Sequence, residues 1–112
     1  MPDAPPPAHR IRLRDFWTVT TAGGRTRHAR RFGRPRTPDP TATVWLVCDH
    51  VPAAGDVFVN GVAVGPAFGG PFAADVTHLL TPRNEIAFEV ASADPLGEVA
   101  VEIRPGREPN GA

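Results

Sequence analysis

From Val44 to Val90, short runs of β-branched and aromatic residues are interrupted by Asn60-Gly61, Gly69-Gly70-Pro71, Asp75-Val76-Thr77 and Asn84, a spacing too tight for a helix of useful length. The pair Asn60-Gly61, set between Val57-Phe58-Val59 and Val62-Ala63-Val64, is the strongest of these signals. A type I′ turn needs positive φ at both central residues, and Asn-Gly is a pair that accepts it. Further on, Ile86, Phe88 and Val90 alternate with Ala87 and Glu89, and Val99, Val101 and Ile103 alternate with Ala100, Glu102 and Arg104. A period of two marks strands with one face in a core and one in water. Many short strands, frequent turns and no helical period predict an all-β antiparallel sandwich or barrel.

The predicted strands are 10–15, 16–20, 26–32, 41–50, 56–60, 62–64, 72–76, 85–91 and 98–104. The last two read as a hairpin, with Leu96-Gly97 after Asp94-Pro95 in its turn. In 41–50, Val44, Leu46 and Cys48 are assigned to the core, yet Trp45 and Val47 on the opposite face are apolar too, and so is Phe58 opposite Val57 and Val59. A strand apolar on both faces is covered on both. The cover is either the N-terminal segment carrying Phe16, Trp17 and Val19, the favoured reading because Trp17 needs a home, or a partner.

The 112 residues fit one domain with one core. Residues 1–9 carry four prolines and little that packs, so a disordered lead is expected there, with the sandwich over 10–104 and a flexible tail over 105–112. Every basic residue is Arg, and charge is balanced in total but not along the chain. Residues 1–40 hold nine Arg against three Asp, a net of +6, and residues 41–112 hold three Arg against nine acids, a net of −6. The halves are expected to neutralise each other by pairing; the alternative is a basic surface for an anionic partner. The lone Cys48 cannot form an intrachain disulfide and reads as a core residue. With no apolar leader segment, no run of ~20 apolar residues and no Asn-x-Ser/Thr sequon, the sequence predicts a cytoplasmic protein with no membrane partner.

The order Val44-Trp45-Leu46, Asp56-Val-Phe-Val-Asn-Gly61, Val64-Gly65, Gly69-Gly-Pro-Phe72, Asp75-Val-Thr77, Leu79-Leu80 and Asn84-Glu-Ile-Ala-Phe-Glu-Val90 resembles the N-terminal jelly-roll domain of the family-two glycoside hydrolases, the β-galactosidase, β-glucuronidase and β-mannosidase group. Upstream, Trp17 and Arg30-Arg-Phe-Gly-Arg-Pro35 resemble that family's aromatic first strand and its Arg-x-Phe segment before a proline, so the likeness covers about residues 10–104. It implies a galactose-binding-like sandwich and carbohydrate recognition. Family catalysis uses two glutamates about 5 Å apart in a separate (β/α)₈ barrel, and no such barrel lies in these residues. Each matching motif also has a structural use: Asp75 and Thr77 can form an Asx-type turn, and Asn84 can hold a left-handed turn.

Three functions follow as expectations. A noncatalytic carbohydrate-binding module needs an aromatic face and a few polar groups; Phe68, in the Gly/Pro-rich 65–71 loop, is the most exposed aromatic expected, with Arg34 and Asn60 as polar neighbours. A protein-interaction or self-associating module would use Trp45, Val47 and Phe58 as an interface patch. Nucleic-acid or polyanion binding through Arg25, Arg27, Arg30, Arg31, Arg34 and Arg36 with His28 ranks last, because no nucleic-acid motif accompanies them. No cofactor is implied. Asp49, Asp56, Asp75 and Asp94 are scattered singly, and His9, His28, His50 and His78 lack ligand spacing and read as surface or strand-end residues.

Overall fold

The computed structural model describes residues 9–37 and 40–106; most of the expected lead and tail, at 1–8 and 107–112, lies outside the described residues. Seven strands follow in chain order: β1 (His9–Arg12), β2 (Thr18–Ala22), β3 (Arg25–Gly33), β4 (Thr43–Val59), β5 (Val62–Asp75), β6 (Arg83–Val90) and β7 (Val99–Arg104). A single 3₁₀ turn, Thr77–Leu79, precedes β6, and no α-helix occurs among the described residues. All pairings are antiparallel, in the order β1-β7-β4-β6-β3-β2, with β5 alongside β4.

The sequence splits β4 and β5 into four short strands, whereas the structure runs each through a bend. The N-terminal part of β4 pairs with β7 and its C-terminal part with β6, and the β4–β5 register shifts between Cys48 and Val51 and again between Val51 and Ala54. Bulges of this kind let one strand leave one sheet and enter the next. The sheet thereby curls into two facing halves, β1-β7-β4 and β4-β6-β3-β2, forming an all-β sandwich. Gly55 sits beyond the bend opposite Val90, where a Cβ would collide with the Glu89 carbonyl and come within 2.8 Å of the Val90 Cα.

Period-two alternation fills the space between the halves. Val44, Leu46 and Cys48 face inward beside Val99, Val101 and Ile103, while Val57 and Val59 face inward beside Ile86 and Phe88. The Phe72 and Phe88 rings, one from each half, meet edge to face at 6.1 Å. Cys48 is buried, and burial raises its thiol pKa above the ordinary range. The Asn60-Gly61 turn has φ of 52° and 81°, the type I′ signature, with Val59 and Val62 paired across it.

Two local readings change. The β6 and β7 strands are not a hairpin: β7 pairs with β1 and β4 in the other half, and 91–98 is a crossing connection. Asn84 holds no left-handed turn. Buried beneath the 81–84 turn, it accepts from the Thr81 amide at 2.8 Å, donates to the Thr81 carbonyl at 2.8 Å, and receives the Asn60 side-chain amide at 2.9 Å. Asp75 does form the expected turn, its Oδ1 accepting from the Thr77 amide at 2.9 Å and the Thr77 hydroxyl at 2.6 Å.

The charge halves meet as expected. Ion pairs join Arg10 to Asp49, Glu98 and Glu102, Arg12 and Arg14 to Glu98, Arg25 to Asp56, and Arg27 to Glu85 and Glu89, each linking a first-half arginine to a second-half acid. No helix among the described residues is long and apolar enough to cross a membrane.

Candidate functional site

The residues singled out for sugar contact do not converge. Phe68 is 83% exposed on β5 and pairs with Ala54, six residues along β4 from Asn60, a separation of roughly 20 Å at strand rise. Asn60 spends its side chain on the fold: its amide donates to the Leu79 carbonyl and to Asn84, both at 2.9 Å, and its Oδ1 accepts from the Glu85 amide at 2.9 Å. Arg34 donates its backbone amide to the Pro82 carbonyl at 3.1 Å and leaves its side chain exposed.

Nor do Trp45, Val47 and Phe58 form one patch. The bend in β4 puts Trp45 and Val47 on the outer face of the β1-β7-β4 half, beside Glu102 and Ala100, and Phe58 on the outer face of the other half, beside Ala87 and among Arg27, Glu85 and Glu89. Neither Phe16 nor Val19 covers Trp45. The Arg104 guanidinium lies 4.1 Å from the Trp45 ring centroid and is held there by Glu102 at 2.9 Å, a cation–π lid built from the neighbouring strand. The N-terminal segment turns inward instead: the Trp17 indole meets Phe88 at 6.4 Å and donates from Nε1 to the Leu13 carbonyl at 2.8 Å. Arg25 and Arg27 of the proposed polyanion surface are ion-paired, and Arg30 stacks on exposed Phe16 while donating to the Asp15 carbonyl.

A concave site does form where the sandwich opens at its β2 edge. Edge strand β2 and its neighbour β3 place Val19 and His28, paired in register, on one side, His28 buried and Val19 54% exposed at the mouth. The 13–17 segment lays Leu13 and Trp17 across one side, and the 91–98 connection brings Pro95, Leu96 and Glu98 across the other. Together they line an open cleft of about 570 Å³, within the ~300–1,000 Å³ range of small-molecule sites. Its walls are apolar, with Arg14 and Glu98 at the rim 3.4 Å apart as an ion pair.

His28, only 7% exposed, borders the inner wall, and its Nε2 has no hydrogen-bond partner and is itself sealed from the cleft. Desolvation holds the imidazole pKa below the ordinary histidine range, which favours the neutral ring. This corrects the reading of His28 as a surface residue. The signal was present in the sequence as the alternation Thr26, His28, Arg30, Phe32 on one strand face, but four arginines around it make the face look solvated. Among the described residues, no three His, Cys, Asp or Glu side chains converge as a metal-holding group.

No protein-family model and no curated protein matches the chain. Solved structures do match. A β-glucuronidase from Bifidobacterium dentium, in complex with coumarin-3-O-glucuronide, superposes with a TM-score of 0.76 at 16% identity, over 93% of this chain and 31% of its own. The β-D-glucuronidase of Dictyoglomus thermophilum gives 0.75 at 15%, over 94% and 29%, and an FMN-binding β-glucuronidase from Faecalibacterium prausnitzii gives 0.70 at 22%, over 86% and 22%. The chain thus spans less than a third of each of these enzymes. At such identities the likeness establishes fold: an all-β antiparallel sandwich, shared with one domain-sized part of β-glucuronidases. That is the domain type whose motif order the sequence resembles.

Proposed function

We propose that this chain is a noncatalytic carbohydrate-binding module whose site is the cleft at the β2 edge. One observation carries the reading: the half-buried Trp17 indole walls an open apolar cleft of about 570 Å³ that has the Arg14–Glu98 ion pair at its rim. Sugar rings present an apolar C–H face and a hydroxyl periphery, so one aromatic wall with a few polar partners suits them. The fold supports the reading, because the enzymes that share it act on glycosides. The acids Glu85, Glu89, Glu98 and Glu102 are each ion-paired to arginine, an arrangement that suits structural more than catalytic use.

The test is a thermal-shift panel of mono- and oligosaccharides on the purified chain. A ligand at ~100 times its Kd adds about 2.7 kcal/mol, so millimolar affinities register. Stabilisation by a sugar class supports the module reading; no shift with any glycan overturns it.

A second reading, association with a protein or a second copy, is favoured by Phe68, which stands 83% exposed between positive-φ Gly65 and the pair Gly69-Gly70. Sedimentation across a concentration series checks it. Self-association abolished by Phe68→Ser supports this reading, and a monomer at every concentration removes the second-copy form of it.

A further inference from the structure

Among the described residues, β1, β5 and β2 each leave one edge unpaired. An open edge is a template for another strand, and proteins blunt it with charge, proline or a local kink. Arg10 and Arg12 do so on β1, and Pro66, Pro71 and the positive-φ Gly65, Gly69 and Gly70 do so on β5. Strand β2, Thr18-Val19-Thr20-Thr21-Ala22, carries none of these. It has no charge, proline or glycine, keeps an unbroken register with β3, and is exposed at every residue.

The backbone pattern of β2 selects what covers it. The Gly23-Gly24 turn, with φ of 60° and 79°, closes a two-residue hairpin, so Ala22 and Arg25 form a hydrogen-bonded pair, and Thr20 and Thr18 repeat that pairing with Arg27 and Ala29. Val19 and Thr21 therefore point their N–H and C=O groups away from β3, along the open edge. We infer that β2 pairs antiparallel with β2 of a second copy of this chain, about a two-fold axis at Thr20, Val19 of each copy exchanging both backbone hydrogen bonds with Thr21 of the other. The strand is its own complement in this register. Thr20 meets Thr20, no charged side chains oppose each other, and Asp15, which has no ion pair among the described residues, is carried toward the half-exposed Arg25 of the second copy. Phe16, 85% exposed at φ 70°, comes beside the second copy's Gly23-Gly24 turn, where nothing lies within 4 Å of a Cβ on either glycine. The axis is perpendicular to the joined sheet, so both inner faces lie on one side of it and the two clefts face each other. Pairing of this kind needs neither a sugar nor Phe68.

The test is amide hydrogen exchange of ¹⁵N-labelled protein over a dilution series, with sedimentation alongside, on wild type, Thr21→Pro and Thr20→Glu. Thr21→Pro removes an outward amide and no bond to β3, and Thr20→Glu sets like charges across the axis while keeping Arg27 beside it within its own chain. Expected are a mass rising toward twice 11.9 kDa with concentration, and Val19 and Thr21 amides protected in the dimer but exchanging freely in the monomer, while the Thr20 amide, bonded to β3, stays protected in both. Each β2 variant should dimerise at least about tenfold more weakly, and Phe68→Ser should dimerise as wild type does. A monomer at every concentration overturns the inference, and so does a dimer whose Val19 and Thr21 amides stay unprotected, or one that Phe68→Ser abolishes and both β2 variants spare. Protection of those amides in a monomer, as cover from the same chain would produce, overturns it as well. The wild-type exchange decides the matter even if a variant fails to fold.

Discussion

His28 and Asn84 show how two buried polar side chains can serve opposite ends. Asn84 fills its hydrogen-bonding capacity with Thr81, Asn60 and the Phe32 carbonyl, so it stabilises. Asn84→Ala leaves the Thr81 amide and neighbouring groups without partners and should cost about 2–4 kcal/mol in urea unfolding, given ~1–3 kcal/mol for each buried group left unsatisfied. His28 does the reverse, since its sealed Nε2 has no hydrogen-bond partner and its folded pKa is lowered. As pH falls below the unfolded value of about 6.5, the unfolded chain takes up this proton first. The His28 contribution is therefore whole above about pH 6.5 and is lost as pH falls from there through the depressed folded pKa. His28→Leu should flatten that acid slope and leave the unliganded protein as stable or more so, which melting temperatures from pH 7.5 down to 5 would read. For Cys48, burial raises the thiol pKa, so the native protein should resist thiol reagents at pH 8 and react fully once unfolded.

At the scale of elements, the alternating segments were legible because the large apolar side chains of each strand share one face, as in β6, β7 and the Asn60-Gly61 hairpin; the second face of β7 was not, since Ala100 and Glu102, read as facing water, are buried where β7 lies between β1 and β4. The long strands β4 and β5 were not, because a bend with register shifts reads as two strands with a gap. That bend also separates Trp45 and Val47 from Phe58, which period-two reasoning alone groups as an apolar second face. The cleft was least legible of all: Trp17, His28 and Leu96 come from three distant segments, and only the crossing 91–98 connection, read from sequence as a hairpin turn, brings them together. Gly55 is the element-level weak point. Gly55→Ala drives a methyl into the backbone of Glu89 and Val90 and should destabilise by about 1–3 kcal/mol, the usual cost of overpacking, seen as a lower urea midpoint with unchanged m-value.

Across the whole molecule, the basic first half and acidic second half are joined strand to strand, and the pairs cluster around Glu98, Glu102, Glu85 and Glu89. Most of these pairs are partly exposed, where each contributes ~0–1 kcal/mol and is screened by salt. Raising salt from 0.02 to 0.5 M should therefore lower the melting temperature only slightly. The most direct check on carbohydrate recognition at the β2-edge cleft is Trp17 fluorescence in a Trp45→Phe background during titration with a panel of neutral and acidic glycans. A saturable change in Trp17 emission is the result predicted; emission that no glycan alters, in a protein shown to be folded, would contradict it.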